Sequence, residues 1–281
     1  MKKIVLIISI IAYLVTTGKV SAQTASVYSG GAHGESLAHT NTTFQGLMGL
    51  YGNIAGIAFM EGLAADVSYD RRYNLSELST GSVAVAYGGG FGSVGLLASK
   101  YGFDSYSETK LGVAYARKLG KGLSIGGMLD LLQYNVEGFG TTNKITFEAS
   151  LYSELTDKVH LGAYFFSPGT VSLTEIQQIP SRVSLGVKYF VSPKAVLIAD
   201  ITKIAERTIE VKIATDYQLQ DRFGLRLGAN ITQYSFHAGT YVNLTDDVRL
   251  TVAYSYSSNL GSTPSLSLTY RGVVSRDIAS R

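Results

Sequence analysis

Apolar and polar side chains alternate with a period of two over most of the chain beyond Gly62. Leu63, Ala65 and Val67, for example, alternate with small or acidic residues. The same alternation recurs at 110–115, 145–151, 183–189, 209–217, 223–231 and 248–254. Because successive side chains of a β-strand point to opposite faces, each segment predicts a strand with one apolar face and one polar or small face.

The number and length of these segments indicate a membrane-spanning sheet. We distinguish about 14 segments of roughly 8 to 12 residues, which is the length that a tilted strand needs to cross a bilayer. In hydrocarbon an unpaired backbone amide costs several kcal/mol, so such a sheet has to close on itself. The sequence therefore predicts an all-β fold, a transmembrane antiparallel β-barrel of about 14 strands. An exported β-sandwich or a small soluble barrel stays open as the alternative, because its strands also alternate.

The connections between the segments are predicted to alternate in length. Tight turns are expected near 119–122, 156–158, 192–194, 220–222 and 245–247. Longer loops are expected at 102–107, 135–143, 167–181 and 257–264. Short turns at one rim and longer loops at the other are typical of outer-membrane barrels, whose turns face the periplasm. The pattern predicts a location in the bacterial outer membrane, with both chain ends on the periplasmic side.

Residues 1–22 are predicted to form a secretory signal peptide. Lys2 and Lys3 precede an apolar core from Ile4 to Thr16, and Val20-Ser21-Ala22 supplies the small residues of a cleavage site. The apolar core is shorter than the run of about 20 residues that spans a bilayer as a helix. An uncleaved anchor helix stays open as the alternative.

Composition narrows the class of protein further. Charged residues make up 16 % of the chain, against about a quarter in soluble domains, which favours a surface in contact with lipid. The net charge of +3 provides no clustered basic face for nucleic acid. The chain has no cysteine, and its four histidines match no metal-binding spacing. We therefore predict no metal, no cofactor and no catalytic residue, while His237 beside a serine leaves a hydrolase as an alternative.

The polar faces of the predicted strands would line the barrel interior. They bring nearly equal numbers of acids and bases there: Asp66, Asp70, Arg72, Lys110, Asp130, Glu148, Lys188, Asp200, Glu210, Lys212, Asp216, Arg226 and Arg249. A balanced lumen can cross-link itself through ion pairs, whereas a selective pore more often carries one sign of charge. A barrel of about 14 strands is wider than its own side chains fill, so a plug or water has to occupy it.

Residues 23–61 lack the alternation and are predicted to form a hatch in the lumen of the barrel built by residues 62–281. The stretch from Thr42 to Met60 is rich in apolar and small residues and predicts one or two short helices, with Asn41 or Thr42 as a cap. Its apolar side chains need burial, which the lumen supplies. A periplasmic linker stays open as the alternative.

The segment Tyr51-Gly52-Asn53-Ile54-Ala55-Gly56-Ile57 resembles the Y-N-P-A-G-L hatch motif of FadL-type barrels and of the PorV/PorQ-like proteins of Bacteroidetes. The hatch-motif residues are Tyr51, Gly52, Asn53, Ala55 and Gly56, and Ile54 stands in place of the proline. Further similar pieces lie at 75–80, 106–116 and 155–158. Membership would imply an outer-membrane barrel of about 14 strands with an N-terminal hatch.

The resemblance implies two non-enzymatic functions. Some relatives serve the type IX secretion system, which favours a plugged scaffold whose partners are outer-membrane lipid and secretion-system or cargo proteins. FadL itself passes hydrophobic molecules through the barrel wall, so a channel for a hydrophobic ligand is the alternative. Such a channel predicts an apolar pocket between hatch and wall, and a kink or gap in the wall. An outer-membrane enzyme would instead show a serine, a histidine and an acid clustered near one rim.

Overall fold

The computed structural model describes residues 30–167, 171–172, 178–205 and 207–272. The predicted signal peptide, the first residues of the hatch segment and residues 273–281 lie outside this part of the chain. The described strands, in chain order, are β1 (Gly62–Arg71), β2 (Ser79–Gly89), β3 (Gly92–Phe103), β4 (Tyr106–Gly120), β5 (Leu123–Val136), β6 (Gly140–Glu154), β7 (Val159–Phe166), β8 (Val171–Ser172), β9 (Gln178–Ile179), β10 (Arg182–Ser192), β11 (Ala195–Ile204), β12 (Glu210–Gln220), β13 (Phe223–Asn230), β14 (Ser235–Asn243), β15 (Val248–Ser257) and β16 (Gly261–Arg271).

These strands form one closed antiparallel barrel. Of the sixteen described strands, all but β8 and β9 take part, so the ring has fourteen strands. Successive strands pair, β7 pairs with β10, and β1 closes the ring against β16, where Val67 is paired with Leu268. β8 and β9 form a separate two-stranded hairpin in the connection between β7 and β10. The predicted transmembrane-type antiparallel barrel of about fourteen strands is confirmed as a fold.

The two ends of the barrel differ in their connections. We call the end that holds Gly62 and Arg271 the turn end; its turns include 90–91, 121–122, 193–194 and 221–222. We call the opposite end the loop end; its longest connections are 72–78 and 167–181.

For three of the four long loops predicted, the prediction is wrong. Strands continue through most of 102–107, 135–143 and 257–264, and the turns there are 104–105, 137–139 and 258–260. The reason is that the hydrogen-bonded strand pairing continues past the apolar band of the barrel. In that outer region polar residues are still paired, as Gln133 of β5 is with Asn143 of β6. The apolar alternation therefore ends before the hydrogen bonding does.

The outer face of the barrel is apolar. Val113, Leu129 and Leu96 expose 63 %, 59 % and 58 % of their surface, although they are large hydrophobic residues in strands. Seven strand tyrosines also point outward and are exposed: Tyr69, Tyr87, Tyr115, Tyr189, Tyr217, Tyr254 and Tyr270. An outward apolar band with aromatic side chains is the surface that lipid requires of a barrel. Separately, no helix in the described residues is long and apolar enough to cross a membrane.

Residues 30–60 fill the lumen. They form one α-helix, α1 (Gly31–Ser36), and three 3-10 helices, Asn41–Thr43, Gly46–Tyr51 and Ile54–Phe59. The predicted short helices are present, but as three 3-10 helices rather than one or two. Asn41 and Thr42 lie inside the first of them instead of capping it, and α1 was not predicted. Glycines at 46, 49, 52 and 56 interrupt the segment, and glycine disfavours continuous α-helix, so short 3-10 turns result.

Candidate functional site in the barrel lumen

Lumen-facing glycines let the hatch approach the barrel wall closely. A Cβ added to Gly126 would collide with the backbone of Ala55, and one added to Gly162 would collide with the carbonyl oxygen of Thr42. Gly88, Gly95, Gly186, Gly228 and Gly239 also face hatch atoms. Glycine in a strand interior marks a site where another backbone comes close. These seven positions, which we call the glycine belt, were not recognised from the sequence, although all but Gly88 lie in strand interiors, which was the available signal.

The hatch-motif residues make the contacts between the hatch and one half of the barrel. Asn53 Nδ2 donates to the carbonyl oxygens of Thr42 at 2.6 Å and Leu151 at 3.0 Å. The N–H of Ala55 donates to Ser150 Oγ at 2.7 Å, and Ser124 Oγ donates to the carbonyl of Ala55 at 2.8 Å. These bonds tie the hatch to β5 and β6.

Tyr51, Gly52 and Gly56 of the motif also hold the hatch in place. Tyr51 Oη donates to Asp66 Oδ2 of β1 at 3.0 Å, and burial, followed by the charge of Asp66, raises the pKa of Tyr51 and keeps it a neutral donor. Added Cβ atoms at Gly52 and Gly56 would collide with Asn41 and with the backbone of Phe44. The motif therefore folds the hatch against itself and the wall.

A second group of contacts fixes α1 to the far side of the ring. His237 Nδ1 on β14 lies 2.8 Å from the carbonyl oxygen of Glu35 and 3.3 Å from its Oε1. His39 Nε2 lies 2.8 Å from Glu35 Oε2. Burial alone would raise the pKa of Glu35, but the charges and hydrogen bonds of His39 and His237 hold it well below its usual range.

This histidine group includes the serine that the hydrolase alternative requires. Ser235 Oγ lies 3.0 Å from His237 Nε2, near the loop end. The hydrogen-bond partner nearest to His237 Nδ1 is, however, the backbone carbonyl oxygen of Glu35. The carboxylate of Glu35 lies closer to His39 than to His237. His237 therefore joins the hatch to the wall. In a catalytic triad the carboxylate would instead bond one histidine and orient it.

Most of the predicted lumen charges face the interior and form small groups. Lys110 bonds Glu148 and lies 3.4 Å from Asp130, with all three side chains buried. Lys212 Nζ lies 3.0 Å from Glu210 Oε2, and Arg226 Nε lies 2.9 Å from Asp216 Oδ2. The remaining lumen-facing charges are Asp66, Asp70, Lys188, Asp200 and Arg249.

Arg72 stands apart from this set. It lies in the loop-end turn Arg72–Asn74, where its guanidinium sits 5.6 Å from the ring centroid of Tyr101. Asp200, by contrast, accepts two hydrogen bonds from the hatch, from the N–H of Thr42 at 3.0 Å and from its Oγ1 at 2.6 Å. The charges thus divide between wall pairs and hatch contacts.

An apolar cluster lies inside the barrel on the loop-end side of β5 and β7. Leu132, Phe166 and Ile179 are almost completely buried, with Tyr134 and Tyr164 beside them. The cluster continues into the hatch through Met128 and Ile54. Beside it, a polar pocket is lined by residues that include His39, Tyr164, Arg182 and Lys212.

The wall is stepped next to this apolar cluster. β7 pairs with β6 from Glu154 to Glu148, while β6 continues to Gly140 beyond the last described pair with β7, Glu148 with Phe166. Elsewhere in the described barrel the register shifts only at turn-end positions, between 118 and 120, 190 and 192, and 218 and 220. We call this place, where β6 overhangs β7, the β6–β7 step.

Comparison with solved structures identifies the fold. No family model and no curated protein sequence matches the chain. The Ralstonia pickettii toluene transporter TbuX superposes with a TM-score of 0.70 at 12 % identity, covering 88 % of this chain and 100 % of that one. A Pseudomonas aeruginosa FadL homologue gives 0.63 at 12 % identity, covering 90 % and 100 %. The P. putida toluene transporter TodX gives 0.62 at 13 % identity, covering 86 % and 98 %. The chain therefore has the fold of a FadL-type outer-membrane barrel.

Proposed function

We propose that this chain is a non-enzymatic barrel of the bacterial outer membrane that passes small hydrophobic molecules, in the manner of a FadL-like channel. The observation that carries the proposal is the β6–β7 step with the buried side chains of Leu132, Phe166 and Ile179 directly behind it. An apolar molecule that enters there meets these apolar side chains, and the buried Lys110–Glu148 pair lies next to them, with Lys110 Nζ 5.7 Å from the ring centroid of Phe166. The turn end, where β1 begins and β16 ends, faces the periplasm.

The similar structures support this choice over a secretion role. TbuX and TodX are described as toluene transporters, and CymD as a monoaromatic hydrocarbon channel. Their likeness to this chain extends over at least 86 % of its length. The hatch would then be the gate that a hydrophobic ligand has to displace, and an aromatic hydrocarbon is the ligand class to test first.

Transport can be tested with toluene in cells that depend on the intact chain for uptake. We expect Leu132→Asn to lower the initial uptake rate, because a polar amide in the apolar cluster leaves a buried group without a partner. Leu75→Asn is the matched control, since Leu75 is half exposed in a loop-end turn. Heat-modifiable mobility on electrophoresis shows that both variants are folded. Uptake that is equal with and without the intact chain would rule out the channel.

A plugged scaffold of the type IX secretion system, as in PorV/PorQ-like proteins, is the second candidate. It is favoured by the balanced ion pairs of the lumen, Lys110 with Glu148, Lys212 with Glu210 and Arg226 with Asp216, which fill the interior as a scaffold would require. Purification from native membranes separates the two functions. Stoichiometric secretion or cargo proteins without bound hydrophobic molecule would favour the scaffold, whereas labelling of Ser235 by a fluorophosphonate would contradict both.

A further inference from the structure

The rim of the barrel at the loop end is uneven, because the strands differ in length. β4, β5 and β6 have 15, 14 and 15 residues, whereas β13 and β14, on the opposite side of the ring, have 8 and 9. A tilted strand needs about 9 to 11 residues to cross a bilayer. β13 and β14 are therefore barely long enough to cross, while the strands β4 to β6 have about four residues to spare.

The spare residues of the long strands are polar on the outside of the barrel. Along β5 the outward residues change from Leu131 to Gln133 towards the loop end. Along β6 they change from Ile145 to Asn143 in the same direction. Gln133 Nε2 donates to Asn143 Oδ1 at 3.1 Å across the two strands, and Phe139 in the turn beyond is the apolar exception. We call this part of the rim the high side, because it continues past the apolar band into water.

The outer face of the short strands is apolar up to the loop end. Leu225 and Leu227 of β13 point outward, and Ile231 follows them in the turn. Phe236 of β14 is paired with Tyr256 of β15, and both side chains are exposed. The apolar residues that end this face at the loop end are all more than half exposed, and we call them the low rim: Ile231, Tyr234, Phe236, Tyr256 and Leu260.

Polar side chains of the turn between β13 and β14 bond to the protein itself. Gln233 Nε2 donates to Glu210 Oε1 at 2.6 Å. Thr232 Oγ1 accepts a hydrogen bond from the N–H of Val211 at 3.1 Å. In contact with hydrocarbon, polar groups have to be satisfied within the protein. These bonds therefore fit a turn that lies at the edge of the hydrocarbon layer.

The backbone of Tyr234 supports a specific role for its ring. Its φ of 52° lies in the left-handed region, which is unusual for a bulky residue. Such a conformation costs free energy and persists where the surroundings offset the cost. A tyrosine has an apolar ring and a polar hydroxyl, and it is enriched where membrane and water meet. Insertion of the ring at a membrane surface would offset the cost.

We infer that the low rim contacts lipid at the boundary between headgroups and acyl chains, in the leaflet at the loop end. Lipid is the partner because the low rim continues into the apolar outer face of the barrel through Leu227, Val252 and Tyr254. Four residues of a strand tilted by about 45° rise about 9 Å along the membrane normal, so the high side stands clear of the lipid. The contact is independent of the channel function, since it concerns the outside of the wall.

Tryptophan fluorescence tests this position, because the chain contains no tryptophan of its own. Phe236→Trp and Tyr234→Trp place the probe in the low rim. Asn143→Trp is the matched control on the high side, and Leu129→Trp marks the middle of the outer face. The full chain is folded into phosphatidylcholine vesicles whose lipid is brominated either near the headgroup end or near the methyl end of the acyl chains. Iodide in the water is the second quencher.

The expected quenching differs between the four variants. Phe236→Trp and Tyr234→Trp should be quenched more by bromine near the headgroup than by bromine near the methyl end, and only weakly by iodide. Asn143→Trp should be quenched by iodide and by neither lipid. Leu129→Trp should be quenched most by bromine near the methyl end.

The control variants make the result decisive. Heat-modifiable mobility shows which variants are folded, and Phe236→Trp suffices if the left-handed backbone of Tyr234 does not accept tryptophan. Equal quenching of Phe236→Trp and Asn143→Trp by iodide would overturn the proposal. Protection of Phe236→Trp from both iodide and brominated lipid would do the same, because a second copy or another protein would then cover the low rim. Quenching of Asn143→Trp by either lipid would contradict the high side.

Discussion

Thr42 donates two hydrogen bonds to the same carboxylate oxygen of Asp200, one from its backbone N–H at 3.0 Å and one from Oγ1 at 2.6 Å. Both residues are buried, and Asp200 belongs to β11 in the middle of the wall. The contact holds the hatch at the point where its chain turns from the α1 half of the ring to the β5–β6 half. Hydrogen bonds to charged groups are among the stronger ones in proteins.

Removing the Thr42 hydroxyl should loosen the hatch while leaving the barrel folded. We expect Thr42→Val to cost about 1.5 to 3 kcal/mol, the value of a hydrogen bond to a charged group. Faster amide hydrogen exchange across residues 41–60, with unchanged exchange in the strands, is the measurement. Thr43→Val is the matched control, because Thr43 Oγ1 is buried without a partner. Equal effects of both substitutions would contradict this role of the hydroxyl.

The glycine belt makes a second prediction. Gly162→Ala places a methyl group against the carbonyl oxygen of Thr42, so the hatch has to move away from β7. We expect the hatch to become sensitive to protease and single-channel conductance to rise. Gly81→Ala has no atom within 4 Å of the added carbon and should change neither. A closed, protease-resistant Gly162→Ala barrel would show that the fit is not tight.

The buried triad of Lys110, Asp130 and Glu148 predicts a strong dependence on its cation. Lys110→Met leaves two buried carboxylates without their counter-ion, which costs about 3 to 5 kcal/mol. The free energy of unfolding in urea, measured in detergent micelles, is the readout. Adding Asp130→Asn and Glu148→Gln to Lys110→Met should recover most of the loss. If the triple variant is as unstable as Lys110→Met alone, the lost stability comes from the packing of the lysine side chain and not from its charge.

Acid should release the α1 half of the hatch. Burial lowers the pKa of His39 despite the opposing charge and hydrogen bond of Glu35, and the charges of His237 and Lys212 lower it further. Because the folded pKa lies below the unfolded value of 6.5, the unfolded state binds the proton first, so stability is lost as pH falls below about 6.5. Glu35, whose pKa is depressed, loses its contribution only further down, below its ordinary 4.5.

Exchange protection of residues 30–40 between neutral and mildly acidic pH, corrected for intrinsic rates, measures this effect. His39→Gln should flatten the part of the profile that begins near pH 6.5, because it removes the titrating ring. His160→Gln serves as the comparison, since His160 lies on β7 against Tyr152 and away from α1. An unchanged profile in His39→Gln would assign the acid response to other groups.

The membrane surface makes a prediction that depends on depth. Val113 lies in the middle of β4 and Leu119 near its turn end, and both are exposed. An outward arginine costs about 2 to 4 kcal/mol at the bilayer midplane but at most about 1 kcal/mol near the interface. Val113→Arg should therefore lower the yield of heat-modifiable barrel much more than Leu119→Arg. Equal yields would argue against lipid around this face.

The sequence predicted the barrel because its evidence is repeated in every strand. Leu63, Val67 and Tyr69 point outward while Ala64, Asp66 and Ser68 point inward, as the alternation requires. The number of strands followed from the number of such segments. Strand ends did not follow, since Tyr106 and Val136 pair across β4 and β5 where the apolar alternation has already stopped.

The site was predictable only in part. The inward position of Lys110 and Glu148 followed from strand parity, but their pairing depends on the register between β4, β5 and β6, which no local pattern encodes. The contact between Thr42 and Asp200 joins residues 158 positions apart. The β6–β7 step required the early end of β7, whose last residues, Tyr164, Phe165 and Phe166, are all aromatic and do not indicate a strand end.

The docking surfaces of residues 30–60 are spread around the whole ring, from Asp66 on β1 through Ser150 on β6 and Asp200 on β11 to His237 on β14. Each half of the sheet therefore carries only part of them. The complete binding surface for residues 30–60 therefore forms only when β1 pairs with β16 and the barrel closes. The contacts of residues 30–60 therefore stabilise the closed barrel and not a partly assembled one, just as a ligand stabilises only the state that binds it.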